Sequence, residues 1–282
     1  MGIHKLMDLL RTNAPDAIKK RDIKYFSGMT VALDASMSMY QFLVSTQGIS
    51  SDSNFLTSLT DEHGNKTGHL LGLFNRTLLL IENGIKPVWV FDGKPPTKKN
   101  GELLRRRKVK QEATEKKEEA EEVGDLAEAL KQQQRTTYIS KQEREDVKEM
   151  LRLMGVPVIQ AAGEAEAQCS YMCAKGKVDA VCTEDTDCLV FGASIMVRDV
   201  NNKKEPLTEI NRQAALEGLK LTEEEFIDMC ILCGCDYSSK IEGIGPVKAY
   251  KFIQEMGCIE KVLEHCEFEN KKDDKIRFVI PK

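Results

Sequence analysis

Two kinds of apolar run alternate along the chain. The continuous ones are MTVALDAS (29–36), PVWVFDG (87–93), VPVIQA (156–161) and DAVCT (179–183). Each is short and bounded by glycine or charge, which predicts strands buried on both faces of a parallel sheet. A further strand is expected from Ser194 to Val200. Runs at helical spacing fall between them. Leu70, Leu73, Phe74, Thr77, Leu78 and Ile81 make one stripe, stopped by Asn83-Gly84 and Pro87; Val147, Met150, Leu151 and Met154 make another, ended by Gly155. Ala165, Cys169, Met172 and Cys173 recur until Gly176, and Phe226, Met229, Cys230 and Cys233 follow later. Ser140 with Glu143, and Thr222 with Glu225, are spaced as capping boxes that start two of these helices. Strands alternating with helices predict an α/β fold: a mostly parallel central sheet with helices on both faces.

Two stretches break the pattern. Thr46 to Thr67 is rich in Ser, Asp, Asn and Gly and has no apolar face to bury, so it is expected to be a mobile loop. Thr97 to Thr137 is charged nearly all round, and a helix of that kind does not belong to a core. These breaks suggest four segments: 1–96 and 140–220 as two halves of a core, 97–139 as an inserted excursion, and 221–282 as a closing helical region.

The apolar strands end in acids. Asp34 closes the first and Asp92 the second; Glu164 and Glu166 stand at a strand-to-helix junction, and Glu184, Asp185 and Asp187 follow DAVCT. A helix amino terminus stabilises negative charge by up to about 1 kcal/mol, so Glu164 and Glu166 alone could be first-turn glutamates. In extended chain Asp185 and Asp187 share a side and can aim at one point. Asp236 follows the last apolar helix. In open α/β sheets the carboxyl ends of strands form the binding crevice, so one acidic site built from separate parts of the chain is expected. Two carboxylates 5 Å apart repel by roughly 3 kcal/mol at an effective dielectric of 20, so Asp34, Asp92, Glu164, Glu166, Asp185, Asp187 and Asp236 can share a pocket only around cations. Ligands that are all oxygen favour Mg²⁺ or Mn²⁺ over zinc, and two such ions about 4 Å apart suit phosphodiester hydrolysis.

Composition limits the alternatives. At 282 residues, 41% hydrophobic and 30% charged, the chain has no apolar run of membrane length, and MGIHKLMDLL has no signal-peptide profile. An intracellular protein is expected, its nine cysteines reduced. Cys230, Cys233 and Cys235 lack the remaining ligands of a zinc site. The net charge of −4 hides an uneven distribution: 94–110 carries eight bases against one acid, Glu102, with Lys86 just before. Such a stripe can meet a polyanion. Gly243-Ile-Gly245-Pro246, with Lys240 and Lys248 beside it, is either a plain helix connection or a turn whose N–H groups approach a phosphate.

Taken together, MGI, LDASMSMYQFL, VFDGKPP, GEAEAQC, TEDTDCLVFG and CGCDYSSKIEGIGP resemble the flap endonucleases of the structure-specific, XPG-like 5′-nuclease superfamily, over essentially the whole chain. The resemblance implies a PIN-like nuclease core, a helical arch at 97–139 and a helix–two-turn–helix element within 221–282. It implies a two-metal enzyme that cuts 5′ flaps in DNA, with 5′-3′ exonuclease activity, in replication and base excision repair. Mg²⁺ would be held by the seven acids, Asp34, Asp92, Glu164 and Glu166 serving one ion more closely and Asp185, Asp187 and Asp236 the other, with Glu166 shared. Lys99 and Arg106 would steer phosphate as catalytic bases. Gly2, Tyr40, Arg76, Glu164, Asp236, Gly243, Gly245 and Lys248 would contact DNA, with K⁺ at the turn. A monomer acting in the nucleus, and in the mitochondrion too, is implied, partnered in its full length by a sliding clamp; no Q-x-x-[ILM]-x-x-aromatic-aromatic peptide occurs here, so a trimmed chain is expected. Lys5, Gln47, Val247 and Lys240 depart from the family's usual residues. The rival readings are a sister 5′-exonuclease or Holliday-junction resolvase, a PIN-type ribonuclease and a non-catalytic DNA-binding scaffold. A D-x-D phosphatase is disfavoured by Ser36.

Overall fold

A computed structural model describes residues 2–49, 56–200, 206–238, 240–272 and 278. Among them are nine strands: Ile18–Arg21 (β1), Thr30–Asp34 (β2), Gln47–Ile49 (β3), Leu56–Ser58 (β4), Lys86–Phe91 (β5), Val158–Gln160 (β6), Ala180–Cys182 (β7), Ile195–Arg198 (β8) and Leu207–Asn211 (β9). The chain folds as two compact units, one from Met1–Leu33 with Glu166–Lys282, the other from Asp34–Ala165. The fold is α/β with mostly parallel strands, as the apolar runs predict.

In the discontinuous unit the strand order is β1-β9-β8-β7-β2. β2, β7 and β8 are parallel; β9 and β1 extend the sheet antiparallel. Val31, Ala32 and Leu33 of β2 and all three residues of β7 are buried, which is why these stretches read as unbroken apolar runs. β1 and β9 are not anticipated by the sequence. IKKR carries three charges, and only as an edge strand facing β9 can it keep them in water. Helices Leu6–Asn13, Arg212–Leu219, Glu223–Cys233 and Pro246–Met256 supply the core residues Leu6, Leu10, Leu219, Phe226, Met229 and Ile253. Thr222 and Glu225 form the expected capping box, and Pro246 starts its helix.

The continuous unit pairs β5 with β6 in parallel. Helices Ala35–Ser45, Gly68–Glu82 and Lys141–Leu153 bring Met39, Leu43, Leu73, Leu80, Val147 and Leu151 into its core with Trp89 and Phe91. The Trp89 indole N–H donates to Thr77 Oγ1 at 3.0 Å, so this buried ring leaves no donor unsatisfied. The Ser140–Glu143 capping box is present.

The stretch 46–67 corrects its expectation in part. β3 and β4 pair antiparallel there, Gln47 Nε2 donates to Thr137 Oγ1 at 2.7 Å, and the Asp61 carboxylate accepts from the His63 and Asn65 backbone N–H groups in a closed turn. Polar side chains hold this backbone where apolar ones are missing. Residues 50–55 of the same stretch lie outside the described residues.

The charged excursion is two helices, Asn100–Glu122 and Leu126–Thr136, joined through Gly124 at φ 76°. Their contact is made by alanines, Ala113, Ala120 and Ala129, all buried. Small side chains let two backbones approach closely while the rest of each surface stays charged. No helix among the described residues is long and apolar enough to cross a membrane.

Candidate functional site

The acids stand where the apolar runs end. Asp34 is the last residue of β2, and its Oδ1 accepts from Met37 N at 3.0 Å, capping the helix Ala35–Ser45. Asp92 directly follows β5, and its Oδ1 accepts from Ala165 N at 2.8 Å, at the start of the helix Ala165–Ala174. One residue earlier, Glu164 Oε1 accepts from Lys99 Nζ at 2.5 Å, with both side chains about 85% shielded from solvent (14% and 15% exposed). Within the continuous unit, then, Asp92 is fixed to the backbone that carries Glu164, and Glu164 is paired with a base from the excursion. Gly93 N donates to Gly163 O at 2.6 Å, and a side chain at Gly93 would collide with the backbone of Ala161 and Ala162, so the two strand ends touch main chain to main chain.

The discontinuous unit assembles the other acids. Thr183, just past β7, donates its hydroxyl proton to Glu166 Oε1 at 3.1 Å and accepts from Asp185 N at 3.0 Å. Asp185 Oδ1 accepts from Asp187 N at 3.1 Å. The extended-chain expectation for Asp185 and Asp187 is therefore corrected: Asp187 opens a short helix, Asp187–Val190, and Asp185 holds its first turn. An aspartate two residues before a free N–H forms this local bond more readily than the chain continues as strand. Arg212 Nε donates to Leu189 O at 2.8 Å, anchoring the other end of that helix. The turn bearing Asp236 is tied to the same place, because Tyr237 meets Phe191 edge-on with ring centroids 6.0 Å apart.

Gly2 belongs to this cluster. Its φ is 83°, and a Cβ there would collide with Asp185 Oδ1 and with Thr186. Only glycine fits on both counts.

Glu184 is in sequence one of the acids, but in the fold it turns to structural work. Arg198 approaches its carboxylate at 2.9 Å, and Asp199 N donates to it at 2.8 Å. Cys188, packed behind the cluster and fully buried, has its thiol pushed well above the ordinary range by burial and then by the nearby Glu166 and Asp185 charges. Among the described residues no three His, Cys, Asp or Glu side chains form a closed ligand cluster, so the metal reading rests on the chemistry of the donors.

The bases and the aromatic residue expected at DNA each have a protein partner. Arg106 donates to Glu102 at 2.8 Å, and Arg105 holds the same carboxylate through two bonds of 2.7 Å. Tyr40 keeps its ring 37% exposed and donates its hydroxyl to Gln134 O at 3.1 Å, so it is not a core residue. Arg76, expected at a duplex, is buried: its guanidinium donates to Ser38 Oγ at 2.9 Å and lies 4.4 Å from the Phe42 ring centroid. At the glycine turn Gly243 has φ 92° and Gly245 caps the helix Pro246–Met256. A Cβ on Gly245 would meet open space. Lys248 Nζ donates to Gly243 O at 2.9 Å.

Thr183 is the residue that sequence reading misses. It ends a strand like any β-branched residue, and its partner Glu166 lies 17 positions earlier.

Family comparison completes the site. The XPG N-terminal domain matches residues 1–113 and the XPG I-region residues 155–236. With acids at the ends of parallel strands in both regions, the chain is of the XPG class. A relative described as flap endonuclease 1, from Tetrahymena thermophila, is 57% identical over 283 aligned residues that span 100% of this chain and 73% of that protein. Among solved structures, flap endonuclease-1 from Methanococcus jannaschii matches with a TM-score of 0.66 and 33% identity, covering 88% of this chain and 77% of that one. The catalytic core of Rad2, solved in complex with DNA substrate, matches with a TM-score of 0.72 and 25% identity over 97% of this chain and 76% of that one. The chain belongs to the flap endonuclease 1 family.

Proposed function

We propose that this chain hydrolyses phosphodiesters at the base of 5′ flaps in DNA, with 5′-3′ exonuclease activity, as a metal-dependent nuclease of nuclear replication and repair. The observation that carries the reading is family membership along the whole chain with every one of the seven acids present. The donors fit hard cations, because they are all carboxylate oxygens. Asp34, Asp92, Glu164, Glu166, Asp185, Asp187 and Asp236 would hold two Mg²⁺, or Mn²⁺ in its place, which would supply Lewis acidity and positive charge for the departing oxygen.

The chain's own groups do the rest. Lys99 stands on a carboxylate and exchanges it for the scissile phosphate, bringing its ammonium to the charge that develops there. Arg106 makes the same exchange from Glu102. The exposed Tyr40 ring offers a stacking face to an unpaired base. The two charged helices act as the arch for the single-stranded 5′ end. The Gly243–Lys248 turn takes duplex phosphate, and the open space at Gly245 lets backbone approach it. A K⁺ ion at this turn would share the Gly243 carbonyl, which accepts from the Lys248 ammonium at 2.9 Å and has a second lone pair to offer.

The test is cleavage of a 5′-labelled double-flap DNA beside matched linear duplex and four-way junction, with Mg²⁺ and with EDTA, and with Asp185→Ala as control. Mg²⁺-dependent product one nucleotide into the duplex, absent in the variant, is expected. Preference for the four-way junction would move the chain to resolvase activity, and binding without cutting would leave a scaffold.

A further inference from the structure

We propose that Thr183 is a positioning residue that sets the geometry of the divalent-metal site through Glu166 and Asp185. The inference rests on the metal-nuclease reading and adds a residue that the acidic pattern does not contain.

The geometry is specific. A hydroxyl has one proton to donate and can accept in return. Thr183 uses the proton on Glu166 Oε1 at 3.1 Å and accepts from the backbone N–H of Asp185 at 3.0 Å. Glu166 comes from the helix Ala165–Ala174 and Asp185 from the turn after β7, so one hydroxyl fixes a carboxylate on one element to the backbone of another. Thr183 itself is 7% exposed and is pinned to the sheet, its N–H donating to Val197 O at 3.1 Å. Its β-branch restricts χ1, which limits where the hydroxyl oxygen can lie, and the proton turns from there to Glu166.

The chemistry follows. The proton directed at Oε1 occupies one lone-pair direction of Glu166 and so fixes how its carboxylate is turned. The bond to Asp185 N holds the turn in which Asp185 Oδ1 in turn binds Asp187 N at 3.1 Å. Three acids are thereby set by a neutral group that carries no charge to any ligand. Outer partners of this kind change metal affinity by about 10–100-fold when removed.

The discriminating pair is Thr183→Val, which keeps the shape and removes the hydroxyl, and Thr183→Ser, which keeps the hydroxyl. Mn²⁺ is titrated into each protein without DNA, and free ion is read by electron paramagnetic resonance; the Mg²⁺ midpoint of single-turnover flap cleavage is measured beside it. We expect Thr183→Val to weaken Mn²⁺ about tenfold or more and to raise the Mg²⁺ midpoint in step, with Thr183→Ser within about threefold of the parent. An unchanged Mn²⁺ affinity in Thr183→Val, or an equal loss in both variants, overturns the proposal while leaving the nuclease reading intact. Failure of the parent protein to bind Mn²⁺ overturns both. Thermal unfolding of each variant separates a misfolded protein from a weakened site: a Thr183→Val protein that melts with the parent and still binds weakly is the supporting result.

Discussion

Lys99 and Glu164 form an ion pair of 2.5 Å with both side chains largely shielded from solvent. A base expected to meet phosphate is thus held by an acid expected to meet metal. Lys99→Met should lower the single-turnover cleavage rate by about 10²–10³, the usual loss when one donor to developing charge is removed. It should also cost about 1–3 kcal/mol of stability, since Glu164 is left mostly desolvated but not fully out of water. Rapid-quench kinetics and urea unfolding measure the two effects, and a rate unchanged within threefold would count against the role.

Glu102 restrains two bases at once. Its carboxyl is drawn down to about 2, first by the Arg105 hydrogen bond and then by Arg106. Because the folded value lies below the ordinary one of 4.5, its contribution to stability is whole above that pH and is lost as pH falls toward 2. Glu102→Gln should remove this acid-limb contribution and release Arg105 and Arg106 to phosphate. DNA affinity should rise, and the slope of log affinity against log salt should steepen by about two, roughly 0.9 for each base released. Fluorescence anisotropy across a salt series reads both.

Gly2 is limited twice over, by φ 83° and by the approach of Asp185 and Thr186. Gly2→Ala should lower cleavage by about tenfold or more through a displaced Asp185, an effect of the size seen when a group supporting a metal ligand is disturbed. The melting temperature should move by only a few degrees. A variant as active as the parent would show that the amino terminus relaxes away from the acids.

Lys5 adopts φ 54° as it caps the helix Leu6–Asn13, a conformation that costs a side chain about 1–2 kcal/mol. Lys5→Gly should raise stability by about 0.5–1 kcal/mol, the relief being offset in part by glycine's larger unfolded entropy. Denaturant midpoints compare the two; a lower midpoint would mean that the lysine side chain makes a contact worth more than its strain.

Seven of the nine cysteines are buried and two, Cys235 and Cys258, are partly open. Burial pushes the Cys233 thiol up to about 12, and Cys188 and Cys230 also lie well above the ordinary range. Ellman's reagent at pH 8 should therefore label two thiols quickly and the remainder only after unfolding. Fast labelling of Cys188 would show that the acid cluster opens.

The ends of β2, β5 and β7 were legible because those strands are buried and continuous apolar runs admit few other readings; β6 corrects the expectation of burial on both faces, since Val158 and Ile159 are half-buried and Gln160 is exposed. β1 was not, because a charged edge strand has no periodic signature until β9 is beside it. The acids could be counted in the sequence but not sorted: Glu184 separates from Asp185 because Arg198, at the end of β8, reaches it. Asp187 was placed in extended chain when the Asp185 side chain had already begun a helix. The burial of Arg76 was not legible either, because it depends on Ser38 and Phe42 of another helix. Such errors arise where side chain meets side chain over long sequence separation, which a linear pattern does not record.

The division of the chain also sets an order of birth. The unit Asp34–Ala165 is continuous and can close while the ribosome is still adding residues; the other needs Met1–Leu33 to wait for Glu166 and everything after it. Asp34, Asp92 and Glu164 are therefore in place early, whereas Glu166, Asp185, Asp187 and Asp236 arrive late. Until then β2 lacks β7, its parallel neighbour. A nascent chain that ends before Glu166 carries three of the seven acids proposed to hold metal, and only one that has passed Asp236 carries them all.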